Sequence, residues 1–88
     1  MKEKEIERVL KALANKRRLA IVKYLHKRER ASVGAIAEEI KLSFKSTSHH
    51  LLLLSAADLL EREQTNTTVL YRLARPVHSV LKVVLSIL

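Results

Sequence analysis

The stretch Leu42–Leu54 reads L-S-F-K-S-T-S-H-H-L-L-L-L, and its interpretation governs the rest of the chain. Ser43 opens it with a good helix N-cap, because a serine hydroxyl accepts a hydrogen bond from an otherwise unpaired N–H of the first turn. Small and polar residues fill the first turns and leucines the later ones. No acidic residue lies between Glu39 and Asp58. Such a helix suits a DNA groove: its polar, non-acidic end can meet base edges while its apolar end anchors it to a core. It also reads as an ordinary buried helix with a polar start. The flanking segments decide between the two.

Immediately upstream, Ser32 can cap a short helix, Val33–Ile40, with Val33, Ile36, Ala37 and Ile40 inward and Glu38 and Glu39 outward. Lys41, Leu42 and Ser43 form a tight turn into a second helix, Phe44–Ala57. Two helices joined by about three residues, the second starting polar, make the helix-turn-helix pattern. Helical spacing turns Thr47, Leu51 and Leu54 toward the core and Lys45, Ser46, Ser48, His49 and Leu52 away from it. Leu52 is expected to pack on the first helix or on the hairpin that follows. Asp58 stands where a helix commonly ends in a left-handed residue, a place usually held by glycine.

Leu59–Gln64 and Thr68–Leu73 are short runs with strand preferences around the turn formers Thr65, Asn66 and Thr67, which predicts a β-hairpin. Arg62 and Arg72 are its basic residues, and Gln64 and Thr68 can pair within it. Pro76 is expected to open a last helix, where a missing N–H costs nothing. Val77, Val80, Leu81, Val84, Leu85 and Leu88 recur along it at helical spacing, widened by Val83 and Ile87. So apolar a helix in a small domain needs a cover. Pairing with its copy in a second subunit, flanked by the first helix, is the economical solution. A peripheral membrane helix would carry a broader basic face than Lys82 supplies.

At the other end, Lys4–Ala14 reads as a helix with the stripe Ile6, Val9, Leu10 and Leu13. Asn15 can cap a second helix running to about His26, buried through Leu19, Ile21, Val22 and Leu25. Lys16, Arg17, Arg18, Lys23 and Lys27 make its basic side, mostly a solvated face. Arg18 lies beside the apolar stripe, where it can pair with a carboxylate or touch a phosphate. Lys27–Ala31 is a charged connector.

Eighty-eight residues make one domain, and a core this small favours oligomerisation. A single Gly and a single Pro argue against an all-β fold. The net charge of +8, from seventeen Lys and Arg against nine Asp and Glu, favours a polyanionic partner, nucleic acid before an anionic membrane. Tyr24, Phe44 and Tyr71 are the only aromatics, too few for a stacking platform for single strands. With no cysteine there is no disulfide, thiolate metal site or thiol nucleophile. The charged start M-K-E-K-E-I-E-R lacks a signal-peptide run, and no apolar stretch reaches a membrane span, so a cytoplasmic location is expected. No Gly-rich phosphate loop or spaced carboxylate set points to an enzyme. Ser48 and His49 are sequence neighbours on a helix and do not face each other as a dyad would.

The order of elements, α-α-α-α-β-β-α, is that of a mainly α winged helix-turn-helix domain. Here the residues resemble the ArsR-type transcription repressors of bacteria and archaea. K-A-L-A-N-K-R-R-L-A-I-V-K-Y-L is similar to the family's opening segment and I-A-E-E-I-K-L-S to its positioning helix. S-H-H-L-L-L-L resembles its recognition helix and V-L-Y-R-L the second strand of its wing. The resemblance covers roughly Leu10–Ala74. It implies a single domain over 1–88, with dimerisation helices at 1–14 and 76–88, the helix-turn-helix at 32–57 and the wing at 59–73. It further implies a homodimer on double-stranded DNA, at an operator of two inverted half-sites, acting as a repressor. Many members sense metal through Cys-Val-Cys at the start of the positioning helix. Here Ser32, Val33 and Gly34 stand instead, so that site is absent. The terminal helix offers only His78, which cannot assemble the ligands other members place there, and neither metal nor cofactor is expected.

The expected DNA contacts are Lys45, Ser46, Ser48 and His49 on the recognition helix, with Arg62, Thr65, Asn66, Thr67 and Arg72 on the wing. Serine and histidine discriminate weakly among base edges, and no Arg, Asn or Gln in the helix patch offers bidentate readout. Thr47 is expected inward, and His50 to bond locally. The expected dimer interface is Ile6 and Leu10 with Val77, Val80, Leu81, Val84, Leu85 and Leu88. A competing function is a winged-helix protein-interaction module whose basic charge is incidental.

Overall fold

Every helix but the last is preceded or followed by a sharp backbone reversal made without glycine. In the computed structural model, which describes residues 1–88, the first helix, α1, spans Glu3–Leu13 and the second, α2, Lys16–Arg28. Between them Ala14 sits at φ −79 and ψ 60, and the Asn15 N–H donates to Leu13 O at 2.8 Å, an inverse γ-turn. The Asn15 side chain then accepts from the Arg17 and Arg18 N–H groups, as an N-cap should. Helix α2 ends at Glu29, with φ 68 and ψ −51, where the Arg30 N–H donates to Arg28 O at 2.8 Å. This is the rare and strained form of γ-turn. Lys41 (φ 55), Asp58 (φ 61) and Asn66 (φ 52) are also left-handed. The chain's one glycine, Gly34, lies inside a helix instead.

The helix-turn-helix follows as read. Helix α3 spans Val33–Ile40, with Ser32 accepting from the Ala35 N–H, and helix α4 spans Phe44–Ala56, with Ser43 accepting from the Ser46 N–H. A short strand that the sequence reading treated as connector precedes them. This strand, β1 (Ala31–Ser32), pairs with β3 (Thr68–Leu73), which in turn pairs with β2 (Leu60–Thr65), giving the antiparallel order β1-β3-β2. The hairpin register runs from Leu60↔Leu73 to Thr65↔Thr68 and leaves Asn66 and Thr67 as its turn. On β1, Ala31 faces Tyr71 and Ser32 faces Leu70, so the residue that caps α3 is itself paired to the hairpin. The wing is thereby a three-stranded sheet.

The last helix, α5, spans Ser79–Ile87, later than expected. Pro76 does not occupy its first turn. His78 caps it instead, its Nδ1 accepting the Val80 N–H at 3.1 Å. An imidazole nitrogen can do here what a hydroxyl usually does, so the helix does not need proline's preset φ.

One core cluster joins all five helices to the sheet. Its members include Val9, Ile21, Val22, Leu25, Ile36, Leu51, Leu54, Leu59, Tyr71, Leu73 and Leu81. Burying each Val, Leu or Ile fully contributes roughly 1.5–3 kcal/mol relative to exposure. Leu81 is 0% exposed within the single chain. The expectation that it meets a partner subunit is therefore corrected: it nails α5 to its own core. No helix is long and apolar enough to cross a membrane.

Candidate nucleic-acid interface

The rotation of α4 is set from both of its sides. Thr47, Leu51 and Leu54 are all fully buried, as their spacing predicts. The Thr47 hydroxyl has no hydrogen-bond partner there, a cost that the packing of the two leucines outweighs. This phase leaves Lys45, Ser46 and His49 exposed and Ser48 half-buried. Leu52 is 62% exposed, so it packs on neither the first helix nor the wing as expected: it stands on the side of α4 turned from the buried Thr47, Leu51 and Leu54.

Two arginines of α2 brace the helix-turn-helix. Arg17 Nη1 donates to Ile40 O at 2.6 Å, at the end of α3. Arg18 Nε donates to Ala12 O at 2.5 Å, and its Nη1 lies 3.1 Å from His50 Nδ1. Arg18 thus pairs with no carboxylate, and it connects the end of α1 to the middle of α4. Guanidinium only donates, so His50 Nδ1 accepts and the ring is neutral with its proton on Nε2. The His50 pKa lies below the ordinary value of 6.5, through desolvation first, then the charges of Arg18, His49 and Arg17. The expected local bond of His50 is in fact a bridge between helices.

On the wing, Arg62, Thr65, Asn66 and Thr67 are exposed, while Arg72 is half-buried. The register puts Glu61 opposite Arg72 and Glu63 opposite Leu70, so these side chains share the sheet face turned from the core. Arg72 Nε meets Glu61 Oε1 at 3.1 Å and its Nη1 meets Glu63 Oε2 at 4.0 Å, while Arg30 Nη1 also reaches Glu63 Oε1 at 3.0 Å. The Arg72 charge is offset by these carboxylates, which leaves Arg62 as the wing's uncompensated cation. A hollow of about 390 Å³ separates the wing from the start of α4, with Val33, Gly34, Phe44, Arg62, Thr67 and Val69 on its walls. Phe44, the first residue of α4, is 62% exposed at its edge.

A second surface lies on α1 and α5. Leu10, Val83, Ile87 and Leu88 are exposed, and Ile6, Val77, Val80, Val84 and Leu85 are half-buried. His78 Nε2 lies 3.0 Å from Glu5 Oε2 and ties the two helices together. Val83 and Ile87, at 65% and 80% exposure, are the most open apolar residues of this face and were not in the expected interface set. Their i, i+4 spacing was visible in the sequence. No group of three or more His, Cys, Asp or Glu side chains stands close enough together to hold a metal ion.

A family model described as a helix-turn-helix domain matches residues 13–63. No curated protein sequence matches the chain. Among solved structures, reduced HlyU from Vibrio cholerae is 30% identical with a TM-score of 0.82, over 96% of this chain and 84% of that one. NolR from Sinorhizobium fredii is 32% identical with a TM-score of 0.83, over 96% and 81% of the two chains. The fragment of Mb0332 from Mycobacterium bovis is described as a homodimeric winged helix-turn-helix DNA-binding domain and a possible ArsR-family transcriptional regulator. It is 30% identical with a TM-score of 0.80, over 96% of this chain and 74% of that one.

Proposed function

The chain belongs to the ArsR-type winged helix-turn-helix family of transcriptional regulators, and on that premise we propose that it is a repressor that binds an inverted-repeat operator in double-stranded DNA as a homodimer. The observation that carries this reading is the set rotation of α4. Its core side is wholly buried, and its free side carries Lys45, Ser46, Ser48 and His49 with no acidic residue. Helix α4 enters the major groove with its N-terminal half, where these side chains meet base edges and phosphates. Arg62, Thr65, Asn66 and Thr67 lie on the flanking backbone or minor groove, and Arg72 contributes less because Glu61 and Glu63 hold its charge. The apolar face of α1 and α5 pairs with its copy, which places two α4 helices about one helical turn apart on the duplex. Because the α4 patch discriminates weakly, phosphate contacts supply much of the affinity.

Selection of bound sequences from random duplex DNA, followed by affinity measurements at several salt concentrations, tests this reading. The expected result is an inverted repeat whose log affinity falls with log salt by roughly 0.9 per phosphate neutralised. Lys45→Glu should abolish most of that binding, since it sets a carboxylate against phosphate. Failure of the purified protein to bind any duplex at low salt would end the proposal.

A further inference from the structure

We infer that Phe44 is a specificity-determining residue, which reads the C5-methyl of one thymine in each half-site; this rests on the proposed DNA-binding function. The starting observation is an inversion of the usual partition in the first turns of α4. Thr47 is buried with an unpartnered hydroxyl, while Phe44, three residues earlier, is 62% exposed. The Ser43 cap and the Leu51–Leu54 packing fix the helix in this phase, so Phe44 cannot turn inward without unseating both. Its position excludes the dimer face, which is built from α1 and α5. Phe44 instead borders the hollow shared with Arg62 and Thr67 of the wing, between the two parts of the chain proposed to grip DNA.

The surroundings match a nucleic-acid occupant in charge. Lys45 is the next residue, Arg62 lies across the hollow, and α4 carries no carboxylate. The chemistry matches in kind. Within the major groove the thymine methyl is the apolar mark that distinguishes T·A, and a phenyl ring can cover it. The hydroxyls of Ser46 and Ser48 and the imidazole of His49 accept or donate to several bases, so a methyl contact adds discrimination that the polar set lacks. Such a residue gains most when both of its neighbours on the duplex are engaged, and the braced wing and helix supply that geometry.

The test uses the duplex enriched by selection from a random library, with each thymine replaced in turn by deoxyuridine. This swap removes one methyl and keeps every hydrogen-bonding group. Affinities are measured by fluorescence anisotropy for the full chain and for Phe44→Ala and Phe44→Leu. At one position per half-site the wild type should weaken about fourfold, and about sixteenfold when both half-sites are altered, as expected for one buried methyl each. Phe44→Ala should bind the unmodified duplex more weakly and be indifferent to the swap, while Phe44→Leu should retain part of the sensitivity. Wild type that tolerates every swap, or Phe44→Ala that keeps the same sensitivity, would overturn the inference while leaving sequence-specific binding intact. Absence of any enriched sequence would overturn the DNA-binding proposal itself and this inference with it. A Phe44→Ala chain that fails to fold would show a structural role and refute the assignment.

Discussion

Substituting Val83 by Glu is the sharpest test of how the protomers assemble. Val83 is 65% exposed in the single chain, on the face of α5 that also presents Ile87 and Leu88. Full burial of a valine-sized side chain is worth roughly 1.5–3 kcal/mol, so covering the exposed two-thirds contributes about 1–2 kcal/mol per protomer. A twofold interface uses the same residue twice, which doubles the contribution to about 2–4 kcal/mol. Losing it should raise the dimer dissociation constant roughly 30- to 1,000-fold. An unpaired carboxylate in an apolar contact makes this a lower bound. The protomer should remain folded, because the core cluster lies within one chain and Val83 is outside it. Sedimentation equilibrium should find a wild-type dimer and a monomeric Val83→Glu, with circular dichroism reporting the same helix content for both. The variant should bind an isolated half-site weakly and lose its preference for the full repeat. Leu81→Glu would be a misleading choice, because it sets a carboxylate in the core and unfolds the chain. A Val83→Glu protein with an unchanged dissociation constant, or a wild type that sediments as a monomer, would refute the reasoning.

Two further outcomes concern stability. Gly34 is helical, and a Cβ added there meets nothing within 4 Å. Gly34→Ala should therefore stabilise the chain by about 0.5–1 kcal/mol and raise Tm by a few degrees, as calorimetry would record; an unchanged or lower Tm would count against it. His50 binds its proton less readily folded than unfolded, so the unfolded chain takes up more protons as pH falls through the ordinary value of 6.5, and folding weakens. Urea denaturation at about pH 5.5 and about pH 7.5 should show a larger acid loss for wild type than for His50→Gln, which keeps an acceptor for Arg18 but does not titrate. Equal losses would contradict this.

The helix-turn-helix was legible because its signals are local. Ser32 and Ser43 cap the helices their positions announce, and Asn15 does the same for α2. Thr47, Leu51 and Leu54 share one buried face because 3.6 residues make a turn. What escaped the sequence was either too short or too remote. Strand β1 has two residues, fewer than any period needs to declare itself. The Arg18–His50 bridge joins residues far apart in the chain, and nothing in either neighbourhood names the other. Helix α5 is apolar on nearly every side, so its pattern could not rank Leu81 against Val83; only the packing of α5 on the core separates them. The His78 cap was missed because imidazole is not among the usual capping groups. The charge of Arg72 was visible, but its neutralisation by Glu61 and Glu63 depends on the strand register.

Strand β1 carries a consequence for how an operator can vary. Ser32 faces Leu70 in the β1–β3 ladder and, through its side chain, caps α3. Helix-turn-helix and wing therefore share a residue, with no loose joint between them. A protein built this way measures DNA like a caliper with a locked jaw. On the proposed docking, the distance from the bases under α4 to the backbone under the hairpin would become part of the recognised signal. A single base pair inserted between those two contacts would offset them by about 3.4 Å and roughly a tenth of a turn, and the chain could keep one only by surrendering the other.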